Sequence, residues 1–530
     1  MANEAITVIK TLPDKKIKGK SLKEILSYDN VSLWWFTEFF LFLRLKKILN
    51  KEKHKNKSFE LFLSLFVRYY ILAKSLLRYF WGRLIKLRHN TKKTENVPKV
   101  IAVSYSMNWR NASTPEVKKQ KEDAMLGNII NERIGRNNEV IALDQDTSSF
   151  MGIKTLLEKA IYKKGLWKPV ETYSTLTILK KVLRTHSEFR KEVKKLRRDG
   201  LQLLPLLEED FLIAFRYHIF YAILFIELMK RAIDIENPDL ILITCEYCML
   251  GRAAVVAGKL KGVPTLAVQH GNISPHDIAY YHRTEEISDE IAPQYCPIPC
   301  KTTVYSPYDK ELLLNIGHYP PDSVVVTGSS RYDLLNHADK IYDKNKIFED
   351  LGLDANKKMI VWTTQTHGLP PDENMRNISA VYGSINSLED VQLVIKLHPG
   401  EDQRATLYKK NKSIKPVVVG GKVDIYALLY ACDLMITRHS TTATEAVILN
   451  KPVIVLNLSG KPDSVEYVKE GVALGAYNEN DLKPAILKLL KNDADLAKSR
   501  EKYIEKYLYK IDGKATERVI SLIEEMIRER

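Results

Sequence analysis

The stretch from Val391 to Leu458 constrains this chain more than any other, because apolar runs and helical patterns alternate in it with short connections. Val391-Gln-Leu-Val-Ile-Lys-Leu397 is a β-branched run that stops at His398-Pro399-Gly400, where proline and glycine disfavour further strand or helix. Asp424 to Cys432 has helical spacing, Leu434 to Thr437 reads as a second strand, Thr444 to Leu449 as a second helix and Val453 to Leu458 as a third strand. Strand, helix, strand, helix, strand with short connections predicts a right-handed, doubly wound parallel sheet. In such a sheet the site lies beyond the carboxyl ends of the strands.

The residues expected at those ends are polar and cationic. His398 follows one strand, and Arg438-His439-Ser440-Thr441-Thr442 lies between the next strand and its helix, an arrangement that suits a phosphate at a helix N-terminus. Glu445 stands about one turn further on, where a carboxylate can accept hydrogen bonds from a ribose diol. The competing structural reading makes Ser440 and Thr441 helix caps and Glu445 the far half of a capping box.

Three segments carry a family likeness: Ile395-Lys-Leu-His398-Pro399, Thr437-Arg-His-Ser-Thr-Thr-Ala-Thr-Glu445-Ala446 and Lys451-Pro-Val-Ile-Val-Leu456. Together they resemble the nucleotide domain of GT-B glycosyltransferases, nearest to capsule-polysaccharide transferases, polysialyltransferases and CDP-glycerol glycerophosphotransferases. UDP-N-acetylglucosamine 2-epimerases are cousins. The resemblance spans roughly residues 100 to 525 and implies two Rossmann-like domains facing a cleft, with a nucleotide sugar as substrate and no cofactor.

Length and charge fit that organisation. The chain has 530 residues and a net charge of +16, but residues 1–98 hold 21 Lys and Arg against 8 Asp and Glu, so +13 sits there and +3 on the remainder. Such asymmetry points to a local anionic partner, and no zinc-finger, homeodomain or RNA-recognition signature accompanies it, so nucleic acid is not expected. Residues 1–20 are lysine-rich and are expected to be a mobile arm. Ser21-Leu-Lys-Glu24 predicts a capping box, and the aromatic, basic stretches to Leu87 predict helices that pack on the first domain, meet a membrane interface, or do both. No uninterrupted apolar run reaches the length of a membrane span, and Phe211 to Met229 reads as a buried helix. Five cysteines without a signal peptide suggest reduced thiols; a zinc site from Cys245, Cys248, Cys296 and Cys300 is disfavoured by their unequal spacing.

After a polar linker from Asn90 to Pro98, Val100 to Ser104 opens the first domain, and the loop that follows brings Asn108, Trp109 and Arg110 to a strand end as candidate acceptor-binding residues. Lys121 to Ile134 reads as a helix, Glu139 to Leu143 as a strand and residues 151–200 as helical and basic. Strands follow at Pro238 to Ile243 and Val263 to Val268. Gln269-His270-Gly271 closes the latter, and a histidine at a switch-point edge is a candidate general base, with a loop-holding role as the alternative. Ser323 to Thr327 is a further strand, after which Arg331 offers a fork of donors to a diphosphate. Neither G-x-G-x-x-G after the first strand nor a P-loop is present, which argues against dehydrogenases and NTPases. Asp144-Gln-Asp146 and Asp493-Ala-Asp495 match the Asp-x-Asp metal signature but not its place beside donor phosphates, so no metal is expected.

The sequence thus predicts an α/β protein of GT-B architecture: a basic helical extension (1–98), an acceptor domain (99–350), a nucleotide-sugar domain (351–500) and a terminal helix (501–530) that packs back across the cleft. The expected activity is metal-independent transfer of a sugar from a nucleotide-activated donor to a surface-glycan or glycolipid acceptor, at the cytoplasmic face of the cell membrane. A nucleotide-sugar 2-epimerase and a catalytically silent, membrane-bound glycan-binding protein stand as alternatives. Epimerases place a carboxylate near the end of the strand matching Thr265 to Val268 and a His-Arg motif beyond it; here Gln269-His270-Gly271 occupies the first place, while His282-Arg283 leaves the second open.

Overall fold

The computed structural model describes residues 2–50, 57–88, 97–105, 108–111, 121–136, 138–145, 167–198, 207–365, 369–398, 401, 405–409, 415–420 and 423–530, with backbone alone at 2, 81–88, 109–111, 121, 134–135 and 196–198. Asp146, Pro399, Gly400, residues 151–166 and most of the expected linker lie outside the described residues. The chain divides into two compact units, one of Met1–Arg110, Lys121–Thr327 and Thr516–Arg530, the other of Asn111–Gln120 and Gly328–Ala515.

The first unit is built on a seven-stranded sheet of β1 Lys99–Tyr105, β2 Glu139–Gln145, β3 Trp167–Pro169, β4 Leu240–Thr244, β5 Thr265–Val268, β6 Lys301–Val304 and β7 Val324–Val326. Its order is β3-β2-β1-β4-β5-β6-β7, and every neighbouring pair is parallel. The second unit carries β8 Lys358–Thr363, β9 Val391–Lys396, β10 Val417–Val419, β11 Leu434–Thr437, β12 Val453–Leu456 and β13 Leu474–Ala476 in the order β10-β9-β8-β11-β12-β13, again all parallel. Both orders reverse direction beside the first strand of the sheet, at β1/β4 and at β8/β11, and there the carboxyl ends open a crevice.

Long apolar strands buried on both faces explain why the sheets are parallel: all five residues of β4 and all four of β11 are buried. One expected element differs. Lys121 to Ile134 is not a single helix but a strand at Lys121–Asp123, a turn and a helix at Gly127–Gly135. The Asp123 carboxylate accepts from the backbone N–H of Met125 and Leu126, at 2.8 Å each, which favours the turn over a continuous helix.

A helical run over Glu208–Glu236, with a π-turn at Phe215–Ile219, is long and apolar enough to cross a membrane. Yet 78% of its most apolar window is buried, and Phe220, Phe225 and Leu228 lie in the core of the first unit. The terminal helix Ala515–Arg528 also belongs to this unit: Val519, Ile520, Ile523 and Met526 pack against Val100, Ala102, Leu240 and Leu266, and Arg518 Nε donates to the Thr327 carbonyl at 2.7 Å.

The expected mobile arm instead begins with a helix buried on one side, while Lys15, Lys16, Lys18 and Lys20 stay exposed. Ala2–Thr11 is a helix whose Ala5 and Ile9 enter the core, and Ser21 and Glu24 form the predicted capping box. Lys10 and Lys23 are buried as well, because Lys10 meets Glu38 at 2.9 Å and Glu286 at 3.4 Å while Lys23 meets Glu286 at 2.9 Å. Their ammonium groups lie over the Trp35 ring at 5.5 and 4.6 Å. Arg283 joins this cluster through Asp14 and Glu286, which spends it on holding the N-terminal segment, while the adjacent His282 is buried.

The cysteines depart from expectation too. Cys245 and Cys248 are joined as a disulfide across the turn after β4, their Cα atoms 5.5 Å apart and within the range that permits one. Cys296 is buried beside Arg252 and Cys300 is exposed. The described residues contain no group of three His, Cys, Asp or Glu placed to hold a metal ion. Asp493 is paired with Arg500 at 2.5 Å, and Asp144 is buried at the end of β2.

Candidate active site

At the carboxyl edge of the first sheet, the chain leaves β4 through Cys245, held at φ 57°, and places Glu246 and Tyr247 above the strand. It leaves β5 through Gln269 and His270. Gln269 ties this edge together: its amide donates to the Gly271 carbonyl at 2.8 Å and accepts from the Tyr305 N–H, beyond β6, at 2.6 Å. His270 Nε2 lies 3.2 Å from the Tyr247 hydroxyl, and its buried Nδ1 has no hydrogen-bond partner among the described residues. Burial pulls its pKa down to about 4, below the near-neutral value expected from sequence, so the ring is uncharged at neutral pH. In the tautomer protonated at Nε2, the ring donates to Tyr247 and keeps a lone pair on Nδ1.

Glu246 was not singled out in the sequence, yet it is the most perturbed carboxyl on this edge. Burial lifts its pKa to about 7, against its own backbone hydrogen bond, Arg252 and Tyr280. Asn108, expected to face the acceptor, is largely occupied in holding its own turn. It donates to Ser104 Oγ at 3.0 Å, and Ser104 donates in turn to Asp123 at 2.5 Å. Trp109 and Arg110 lie in the short strand Trp109–Asn111, and their side chains fall outside the described residues.

In the second unit, β8 and β11 deliver a connected set of polar groups. Thr363 Oγ1 donates to Thr437 Oγ1 at 2.9 Å, and the Gln365 side-chain oxygen accepts from the His439 N–H at 2.7 Å. His398 is exposed, and its N–H donates to Thr364 Oγ1 at 3.0 Å; Thr364 in turn donates to the buried Glu401 at 2.8 Å. Arg438 pairs with Glu373 at 3.3 Å and lines a small pocket with Thr363, Gln365 and Asn377. Burial and the neighbouring Arg438 lower the pKa of His439.

The helix Thr442–Ile448 starts two residues earlier than the pattern predicts, and neither Ser440 nor Thr441 caps it in the expected way. Ser440 Oγ accepts from the Thr442 N–H at 3.2 Å, and Thr441 makes no side-chain cap. Nor does Glu445 complete a capping box. It is buried and paired with Arg331 at 3.1 Å, which brings together two predicted nucleotide-binding residues 114 positions apart. Gln365 and Tyr467 are the residues missed here. Tyr467 donates to the Ser440 carbonyl at 3.1 Å and meets Thr444 Oγ1 at 3.0 Å, a placement for which the sequence offers no local signal.

Replacing Glu445 with glutamine removes the charge that holds Arg331 while keeping the side chain's shape. This should weaken nucleotide affinity about tenfold, near the 1.5 kcal/mol of a charged hydrogen bond. Titration calorimetry of a folded Glu445→Gln protein checks this, and unchanged affinity would confine Glu445 to packing.

Two doubly wound parallel sheets, each with polar side chains gathered at its carboxyl edge, form a fold of the GT-B class. Residues 210–524, more than half of the 530, match the UDP-N-acetylglucosamine 2-epimerase family, and the chain belongs to that family. Among curated proteins it is similar to the processive diacylglycerol beta-glucosyltransferase of Bacillus pumilus (strain SAFR-032), with 23% identity over 279 residues, covering 52% of this chain and 66% of that one. Among solved structures, it is similar to UDP-GlcNAc 2-epimerase from Neisseria meningitidis bound to UDP-GlcNAc, at 14% identity and a TM-score of 0.49 over 82% of this chain and 100% of that one. The wall teichoic acid polymerase TagF matches at 14% identity and a TM-score of 0.44, over 88% and 98%.

Proposed function

We propose that the enzyme transfers a sugar from a nucleotide-activated donor to a glycan or glycolipid acceptor without a metal ion. The observation that carries this reading is His270, an uncharged histidine at the end of β5 with its Nε2 engaged by Tyr247 and a lone pair on Nδ1 that no described group takes up. Nδ1 takes the proton of an acceptor hydroxyl as its oxygen bonds to the anomeric carbon, and the bond from that carbon to the nucleotide phosphate breaks. His398, Arg438 and the Ser440–Thr442 turn receive the departing phosphates, with Arg331 beside them and Glu445 at the ribose.

A second reading, the 2-epimerase, draws on family membership and on Glu246. Although Gln269 leaves no carboxylate at the end of β5, the neighbouring β4 supplies one poised between its protonated and ionised forms at neutral pH. Against it, Arg283 of the His282-Arg283 pair is committed to the N-terminal cluster through Glu286.

Incubation with candidate nucleotide sugars in heavy water separates the two. The transferase leaves C2 of the sugar undeuterated and releases nucleotide only when glycolipid is added, whereas deuterium at C2 without acceptor would replace it with the epimerase.

A further inference from the structure

The helix Val67–Arg88 is turned inside out. Its buried face carries Lys74, Ser75 and Arg78 beside Ile71, and Arg78 reaches the buried Glu171 at 3.1 Å. The preceding helix Lys57–Ser64 is fastened by a polar contact as well, with Arg216 donating to Ser64 Oγ at 2.9 Å. The apolar side chains point the other way: Phe59, Phe62, Phe66, Tyr69, Leu77 and Phe80 are 40–62% exposed. Their spacing of three, four, three, eight and three residues keeps those within each helix on one face.

Single exposed apolar residues are ordinary, but a row of exposed aromatic side chains on a helix that turns Lys74 and Arg78 inward is not arranged for water. Basic groups border it. Arg68 lies over the Tyr69 ring at 4.6 Å. Arg44 on the helix Glu38–Leu49 binds Glu60 at 2.5 Å, which sets the exposed Lys46 and Lys47 within a turn of that junction.

We infer that the pair of helices Lys57–Ser64 and Val67–Arg88 docks on an anionic bilayer, with its aromatic face at the acyl boundary and Arg68, Lys46 and Lys47 within reach of headgroup phosphates. The complementarity is twofold. An amphipathic surface helix binds lipid through buried apolar area plus attraction of basic side chains to anionic headgroups, and residues 1–98 carry +13. Trp34, Trp35 and Phe36 do not take part, since they are buried in the body. Phe39, on the same helix as Lys46 and Lys47, meets the Tyr247 ring at 5.6 Å, and Tyr247 touches His270. On the glycolipid reading above, an acceptor would thus approach His270 without leaving the lipid surface. The docking itself does not rest on that reading.

Flotation of the full chain with vesicles tests the docking independently of activity. The protein should rise with vesicles containing phosphatidylglycerol, less in high salt, and at least about tenfold less with phosphatidylcholine alone. The triple variant Phe62→Ser, Phe66→Ser, Phe80→Ser changes only exposed side chains, so it should keep its melting temperature and lose flotation by at least about tenfold. Full flotation of a folded triple variant would overturn the inference. So would failure of the unaltered chain to float, including the case in which it is a dimer that the three substitutions dissociate, which would assign this face to a second copy.

Discussion

Glu286→Ala should destabilise the first unit by about 3–5 kcal/mol, the range for removing one member of a buried ionic cluster. Glu286 is buried, and it is the group that Lys10 and Lys23 share at 3.4 and 2.9 Å; without it, two ammonium groups stay in the interior with Glu38 and Asp14 alone to answer them. Burial pushes the Glu286 pKa up, but Lys10 and Lys23 outweigh it and hold it at about 2. A carboxylate depressed in the folded state contributes stability that is present above its ordinary value near 4.5 and is lost as pH falls through about 2. The difference between the unaltered chain and Glu286→Ala should therefore be constant from about pH 8 to pH 5 and shrink only below that. Urea unfolding followed by tryptophan fluorescence is a suitable measurement, because Trp35 lies directly under both lysines. A loss under about 1 kcal/mol would mean that the cluster is worth no more than a solvated surface pair.

The same cluster shows what the sequence conceals. Lysine at this density in residues 1–20 reads as solvated chain, because local composition carries no record of a partner; Lys10 finds Glu286, far along the chain, at 3.4 Å. The sheets, by contrast, were legible from local pattern alone. Leu434–Thr437 has the bounds read from its apolar run, and Val391–Lys396 ends one residue before the predicted Leu397. Such strands are buried on both faces, so almost every residue in them carries the signal.

The site was legible in position more than in contacts. Strand ends and turn residues placed His270, His398 and the Arg438–Thr442 segment at carboxyl edges, since the topology dictates that placement. The pairing of Glu445 with Arg331 and the hold of Gln365 on His439 depend on side chains meeting across loops. Burial, unlike position, is invisible in a motif, and it is burial that moves His270 from an ordinary imidazole to one with a pKa of about 4 and raises Glu246 to about 7.

Those two values make the roles of His270 and Glu246 separable by kinetics. His270→Ala should lower acceptor-dependent turnover by about 10²- to 10⁴-fold, the usual worth of a positioned general base. Nucleotide affinity should hold, because the groups proposed to bind the nucleotide are carried by the other unit. A base must be unprotonated to act, so kcat/KM for the acceptor falls as pH drops through the base's pKa. With His270 in that role the acidic limb lies near 4, and activity is level from about pH 5 upward as far as this group is concerned. Were the Glu246 carboxylate the base, the limb would lie near 7, and Glu246→Gln rather than His270→Ala would abolish turnover. Tyr247→Phe adds a further check: it removes the hydroxyl that fixes Nε2 while sparing the ring, which lies tilted against His270 at 5.5 Å. A positioning role predicts a smaller loss of kcat than His270→Ala with the acidic limb still near 4. A limb near 7 that survives in His270→Ala would transfer the chemistry to Glu246 and, with it, return the enzyme to the epimerase reading.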